Sequence, residues 1–209
     1  MQHYLTYIND SIKKHWDLPA FSNFGGETYT YGQVAEGVEK YHVLFEACGI
    51  KKGDKIALYA RNSAEWGIAY LAVVAFDAVI VPFLPDFLAS AVVDLSRFSE
   101  CRMMICDNVA YDALKNGDKL MEQLNGIDGF TCTVNVKNIS VYVSASKEIE
   151  TAVADVDKKF AAKYPNGVKA EDIDYSKTDM EALAVISFTS GTTSATSKGV
   201  VLQIGRAHV

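Results

Sequence analysis

The sequence predicts an α/β fold, a mostly parallel sheet flanked by helices. Three observations carry that prediction. Short apolar runs of strand composition recur at Lys55–Ala60, Ala78–Phe83, Met103–Cys106 and Leu183–Phe188. Segments with apolar residues at helical spacing separate these runs. The runs are continuously apolar rather than alternating, which marks strands covered on both faces, as in a parallel sheet.

The elements follow in chain order. Residues 3–16 are weakly amphipathic and read as a first helix, and Pro19–Gly26 reads as a turn-rich connection. Glu27–Tyr31 has strand composition, and Thr30 then opens a helix through a Thr30-x-x-Gln33 capping box. In that box the hydroxyl takes one orphan N–H and the amide reaches back to another. Val34, Val38, Tyr41, Phe45 and Cys48 form one stripe on this helix, and Gly49 stands where a C′ glycine belongs. Lys51–Asp54 is a turn into the Lys55–Ala60 strand. Asn62 or Ser63 caps the next helix, which runs to about Phe76, and Ala78–Phe83 is a buried parallel strand. Pro85-Asp86 is expected to begin a helix to about Phe98, with Met103–Cys106 as the next strand. One or two helices fit residues 108–124, and a β-rich stretch runs from Phe130 to Val143. Residues 147–180 hold 14 charged residues in 34, so a solvated helix face and loop is expected there. Ile149, Val153, Val156, Phe160 and Tyr164 keep helical spacing within it, and Pro165-Asn-Gly167 stops that helix.

Composition narrows the function classes. The 209 residues are 49% apolar and 22% charged, which excludes wholesale disorder. The formal net charge of −6 argues against a nucleic-acid partner, because neutralising phosphates takes a surplus of cations. Cys48, Cys101, Cys106 and Cys132 form no CxxC pair and have no His at metal-ligand spacing, so they read as small buried residues of a reducing compartment. The N-terminus lacks a basic segment followed by an apolar run, so it is no secretory signal. The most apolar stretch, Ile68–Leu84, holds Asp77 and Pro82 and fits a buried helix and strand better than a bilayer span. A cytoplasmic location is expected.

One segment carries chemistry. The strand Leu183–Phe188 runs into Thr189-Ser-Gly-Thr-Thr-Ser-Ala-Thr-Ser-Lys198-Gly199, with Val200-Val-Leu202 after it. Seven of those eleven residues bear hydroxyls, and two glycines and a lysine complete the segment. Glycines permit bends that turn successive N–H groups inward as a nest for anions. Hydroxyls donate to phosphate oxygens and can ligate Mg²⁺, and Lys198 adds a point charge. A flexible Ser/Thr linker has similar composition, but linkers seldom have a buried strand entering and an apolar triplet leaving. A Walker A loop is excluded by order: it needs Gly before the Lys and Ser or Thr after it, whereas Ser197 precedes Lys198 and Gly199 follows.

Thr189-Ser-Gly-Thr-Thr193 with Lys198-Gly-Val200 resembles the phosphate loop of the adenylate-forming (AMP-binding) enzymes, roughly T-S-G-T-T-G-x-P-K-G-V. That superfamily comprises acyl-CoA synthetases, nonribosomal peptide adenylation domains and luciferases. Thr28-Tyr-Thr-Tyr31, Cys48–Ala57, Arg61-Asn-Ser63, Glu65-Trp66, Tyr70-Leu-Ala72 and Ala78-Val-Ile-Val-Pro82 are similar to its N-terminal pattern, in the same order. The resemblance runs from about residue 20 to Leu202 and is weakest over 107–180. Within the superfamily the chain is most similar to long-chain fatty acid–CoA ligases, on Leu84-Pro-Asp-Phe87 and on Ser194 in the loop. Two departures stand out. Ser194 replaces the second loop glycine and Thr196-Ser197 replaces a single Pro, so the loop is one residue longer. Asp77 stands where Gly is common, and Asp tolerates positive φ better than most residues.

The resemblance implies the N-terminal part of an acyl-CoA-synthetase-like fold. It implies an ATP- and Mg²⁺-dependent carboxylate–CoA ligase that acts on a fatty acid, ATP and CoA. Thr189, Ser190, Gly191, Thr192, Thr193, Ser194, Lys198 and Gly199 would cradle the β- and γ-phosphates, and Thr192 would ligate the metal. The superfamily's adenine-binding segment, acidic Mg²⁺ ligand, ribose-binding Asp and catalytic Lys follow the phosphate loop. No catalytic residue is therefore assigned here, and the chain alone is expected to be inactive. Residues 1–202 read as a partial AMP-binding domain. Gln203–Val209 matches the translation of a sequencing-adapter stretch and is expected to be a non-native tail. Fatty acid ligases can contact membranes peripherally, and these residues leave that open. Two alternatives stand beside this reading: a native short protein that binds nucleotide or a partner without chemistry, and an adenylation domain without CoA transfer.

The remaining candidates read as structural. His3, His15 and His42 have no acidic or Cys partner at useful spacing, and Glu36, Glu39 and Glu46 are expected on the exposed side of the second helix, where they only solvate it. Trp66 reads as core and Asp86 as a helix cap.

Overall fold

The computed structural model describes residues 3–177, 181–189 and 198–204. A helix, α1 (Tyr4–Lys14), leads into a two-stranded antiparallel hairpin, β1 (Pro19–Ser22) and β2 (Thr28–Thr30). There follow α2 (Tyr31–Ala47), β3 (Lys55–Tyr59), α3 (Ala64–Ala75), β4 (Val79–Phe83), α4 (Ala89–Phe98) and β5 (Cys101–Cys106). Then come α5 (Asn108–Asn116), α6 (Leu120–Asn125), β6 (Cys132–Asn135), β7 (Val141–Ser144), α7 (Lys147–Ala154), α8 (Val156–Lys163), β8 (Leu183–Thr189) and β9 (Lys198–Gln203). The main sheet has the order β7-β6-β5-β3-β4-β8-β9. Its central five strands are parallel and each edge pair is antiparallel.

Side-chain alternation builds a core on each face. Ile56, Leu58, Ile80, Met103 and Ile105 point to the face covered by α1, α2 and α3. Ala57, Tyr59, Val81, Phe83, Met104 and Cys106 point to the face covered by α4, α5 and α6. Both faces are dry, which explains why the strands read as unbroken apolar runs. The fold class expected from sequence is therefore the one observed.

Local chemistry explains the helix ends. Thr30 Oγ1 accepts from Gln33 N at 3.2 Å and Gln33 Oε1 accepts from Thr30 N at 2.8 Å, so the capping box is complete. Val34, Val38, Tyr41, Phe45 and Cys48 are all buried, and Gly49 closes α2 at φ +70°. Ser63, rather than Asn62, caps α3 by accepting from Trp66 N. Asp77 makes the turn into β4 at φ +60°, with Lys52 Nζ 3.0 Å from its carboxylate. All four cysteines are buried and free.

Several expectations need correction. Residues 19–22 are a strand rather than a turn, paired to β2. The α4 helix starts at Ala89 rather than at Pro85-Asp86, and Asp86 does not cap it. Phe87 N closes a turn on Leu84 O, and Phe87 O accepts from Tyr59 Oη at 2.9 Å, which holds this segment outside the helix. The single stripe from Ile149 to Tyr164 is shared by two helices, broken at Asp155. Glu39 does not face solvent: it is 6% exposed and accepts from Tyr164 Oη at 2.7 Å and Tyr175 Oη at 3.1 Å. Its other neighbour is His42 Nδ1 at 3.3 Å, so His42 does have an acidic partner, one helical turn away. His42 Nε2 meets Ala72 O at 3.1 Å. Burial pushes the Glu39 carboxyl up, but the His42, Tyr164 and Tyr175 donors outweigh it and hold the group below its ordinary range.

No helix among the described residues is long and apolar enough to cross a membrane.

Candidate functional site

Because β3, β4, β5, β6 and β8 run parallel, their carboxyl ends share one edge of the sheet. That edge carries Tyr59, Phe83, Cys106, Asn135 and Thr189 in turn. In open α/β sheets, ligands bind outside the carboxyl ends of the strands.

The hydroxyl-rich segment starts and finishes at this edge. β8 pairs with β4 through Ile80 and Val185, and β9 returns antiparallel along β8. Thr189 and Lys198 are Cα partners, so the end of β8 and the start of β9 stand side by side at this edge. Of the predicted site residues, Thr189, Lys198 and Gly199 belong to these strands. Ser190, Gly191, Thr192, Thr193 and Ser194 lie outside the described residues. Gly199 has a packing role that its sequence context did not reveal. A Cβ there would stand 3.2 Å from the ring of Phe188, which stacks on Phe83 with centroids 6.0 Å apart. Among the described residues, no group of His, Cys, Asp or Glu is arranged to hold a metal ion.

A second feature of the same edge escaped sequence reasoning. The connection after β3 crosses to the α3 face, whereas that after β5 crosses to the α5 face, so the two neighbouring strands part at a topological switch point. A crevice of about 590 Å³ opens there, between residues 61–65, 107–108 and 135–142. Asp107 spans its mouth. One carboxylate oxygen accepts from Arg61 N at 3.1 Å and Arg61 Nε at 3.3 Å, and the other caps α5 through Ala110 N at 2.8 Å. Burial pushes the Asp107 carboxyl up, yet these N–H donors and the guanidinium charge hold it below its ordinary range. Asn135 makes the opposite wall. Its Oδ1 accepts from Lys137 N and Asn138 N, an Asx turn that folds the β6–β7 connection over the crevice. The available signal was a pair of Asn residues three apart directly after a strand.

Glu65, quoted above as part of an N-terminal pattern, is 8% exposed and accepts from Tyr29 Oη at 2.8 Å and Asn23 Nδ2 at 3.1 Å. It fastens the β1–β2 hairpin to α3, and Trp66 beside it stacks on Tyr70.

Comparison with known proteins agrees with this architecture. A family model described as AMP-binding enzyme matches residues 8–208. The long-chain-fatty-acid–CoA ligase of Escherichia coli is 26% identical over 210 residues, covering 93% of this chain and 35% of that protein. A 4-coumarate–CoA ligase-like protein of Oryza sativa subsp. japonica is 27% identical over 92 residues, which is 44% of this chain and 17% of that one. Among solved structures, the N-terminal domain of FACL13 from Mycobacterium tuberculosis superposes with a TM-score of 0.68 at 19% identity, covering 97% of this chain and 44% of that one. An anthranilate CoA ligase, AuaEII, reaches a TM-score of 0.72 at 13% identity, over 98% of this chain and 34% of that one. At these identities the two structures speak to the fold alone.

Proposed function

Because this chain belongs to the AMP-binding enzyme family, we propose that it is the phosphate-binding N-terminal part of an ATP-dependent fatty acid–CoA ligase. The reading is supported most by one observation, the Cα pairing of Thr189 with Lys198 at the carboxyl edge of the parallel sheet. A hydroxyl- and glycine-rich segment whose ends are paired there would offer backbone N–H groups and hydroxyls to phosphate oxygens. The E. coli relative that matches nearly the whole chain supplies the substrate class.

In the proposed reaction a carboxylate oxygen attacks the α-phosphorus of ATP, and the bond to pyrophosphate breaks. The CoA thiol then attacks the acyl carbonyl, loses its proton, and AMP leaves. Within these residues the work is positioning and charge stabilisation. Ser190, Gly191, Thr192, Thr193 and Ser194 would hold the β- and γ-phosphate oxygens between Thr189 and Gly199, and Lys198 would offset their charge. The hydroxyl of Thr192 is a hard oxygen donor that suits Mg²⁺, whose charge would neutralise the same oxygens.

Calorimetric titration of the 209-residue chain with Mg-ATP tests this reading. Lys198→Ala should weaken ATP binding about tenfold, since a lost charge-assisted contact costs about 1.4 kcal/mol. The chain should bind ATP without forming acyl-CoA when fatty acid and CoA are added. Equal affinity in the variant and the parent would remove Lys198 from the site.

A further inference from the structure

The crevice opens between β3 and β5, and β4 separates β3 from β8 in the sheet. Its hydrogen-bonding groups are unevenly spent. Both oxygens of Asp107 are taken, by Arg61 and Ala110. Glu65 turns its carboxylate to Tyr29 and Asn23 and is almost wholly buried. Asn108 Oδ1 accepts from Asn135 Nδ2 and from Tyr142 Oη, which itself accepts from Asn135. Asn138 Oδ1 accepts from Ser140 N at 3.0 Å and Ser140 Oγ at 2.7 Å. Asn135 Oδ1 is occupied by its own turn.

The side-chain acceptors of Asp107, Glu65, Asn108, Asn135 and Asn138 are therefore engaged within the wall while donors are left over, and Asn62 keeps both its amide oxygen and its N–H₂ without a partner among the described residues. Asn108 and Asn138 each retain an amide N–H₂ with no partner among the described residues. Arg61 engages Asp107 through its backbone N–H and Nε only, which leaves both terminal nitrogens of the guanidinium free among the described residues. Lys137 lines the same space, and its ammonium has no partner among those residues. The Tyr142 ring, stacked on Tyr111 with centroids 4.0 Å apart, holds the amide cluster in place.

We propose that this crevice is a second binding site, for a small molecule bearing an oxyanion, which the free edge of Arg61, the Lys137 ammonium and the Asn108 and Asn138 amides would grip. An oxyanion is acceptor-only, and it fits the donors that Arg61, Lys137, Asn108 and Asn138 leave unspent. A guanidinium held by a carboxylate on one edge presents its other edge as a ready fork. At about 590 Å³ the crevice exceeds a bare anion and suits the rest of a small molecule. Phosphate and carboxylate share the chemistry argued here.

Residue-resolved NMR on the 209-residue chain tests the proposal, with inorganic phosphate in one titration and acetate in another, both at constant ionic strength against chloride. The side-chain N–H₂ signals of Asn108 and Asn138 should shift saturably with one anion or both, and the tighter of the two identifies the group. Lys137→Gln should weaken that binding about tenfold, while Lys198→Ala should leave it unchanged. Because Lys137 has no side-chain partner in the wall, its variant keeps the fold even if Arg61→Gln disturbs the Asp107 clamp. Shifts that follow chloride equally, or that survive both Arg61→Gln and Lys137→Gln, would overturn the site.

Discussion

Asp77 shows what a single residue can declare. Its φ of +60° lies in the left-handed region, where a side chain with Cβ is strained. The carbonyl of Asp77 accepts from Gly53 N at 2.8 Å, so the conformation is tied to the turn before β3. One carboxylate oxygen meets Lys52, an exposed pair worth less than about 1 kcal/mol, and the other is buried without a partner. Asp77→Gly should therefore leave stability nearly unchanged, while Asp77→Ala should fall about 1 kcal/mol below Asp77→Gly in urea unfolding. Equal midpoints for the two variants would show that backbone strain is not what the aspartate tolerates. This turn was legible in the sequence because its cause is local, an Asp between an apolar helix and an apolar strand, and Asp tolerates positive φ better than most residues. Gly199 was legible only in part, because the ring of Phe188 that would crowd a Cβ belongs to the neighbouring strand.

At the scale of elements, α2 divides what sequence can and cannot say. Its start, its stripe and its end were readable, since capping, periodicity and a C′ glycine act within a few residues. Thr30→Ala should cost about 1 kcal/mol, because it orphans the Gln33 N–H, while the bond from the residue-30 backbone N–H to Gln33 Oε1 is kept. Thermal unfolding of the variant measures it, and a loss near zero would mean that water replaces the cap. What could not be read was the second buried side of α2. The stripe faces α3 and the sheet, but α7 and α8 cover the other flank, with Lys163 reaching Glu46 and Lys40 reaching Asp157. A charge run that looked like a solvated face is partly the underside of a helix pair. The start of α4 failed for the same reason, because Tyr59 of a distant strand holds Phe87 out of the helix.

For the molecule as a whole, the decisive contact joins parts of the chain more than a hundred residues apart. Glu39 of α2 gathers Tyr164 from the end of α8 and Tyr175 from the segment before β8, with His42 completing its surroundings. Tyr175 N in turn donates to Asn9 of α1, so one buried carboxylate ties the first helix to the approach toward the hydroxyl-rich segment. Sequence separation hid the cluster, whereas the parallel sheet itself was evident from its apolar runs. Glu39→Gln keeps the shape but removes the charge that two hydroxyls and an imidazole address, a loss of about 2 kcal/mol at neutral pH. The pH dependence separates this electrostatic role from packing. The carboxyl is held below its ordinary value of 4.5 in the folded chain, so its contribution is complete above that value and is lost as pH falls through the folded one. The stability gap between the parent and Glu39→Gln should accordingly be flat above about pH 5 and close progressively below it. Urea unfolding of both proteins across that range measures the gap. A difference that stays constant into acid would assign Glu39 to packing alone, and would detach the approach to β8 from any control by this carboxylate.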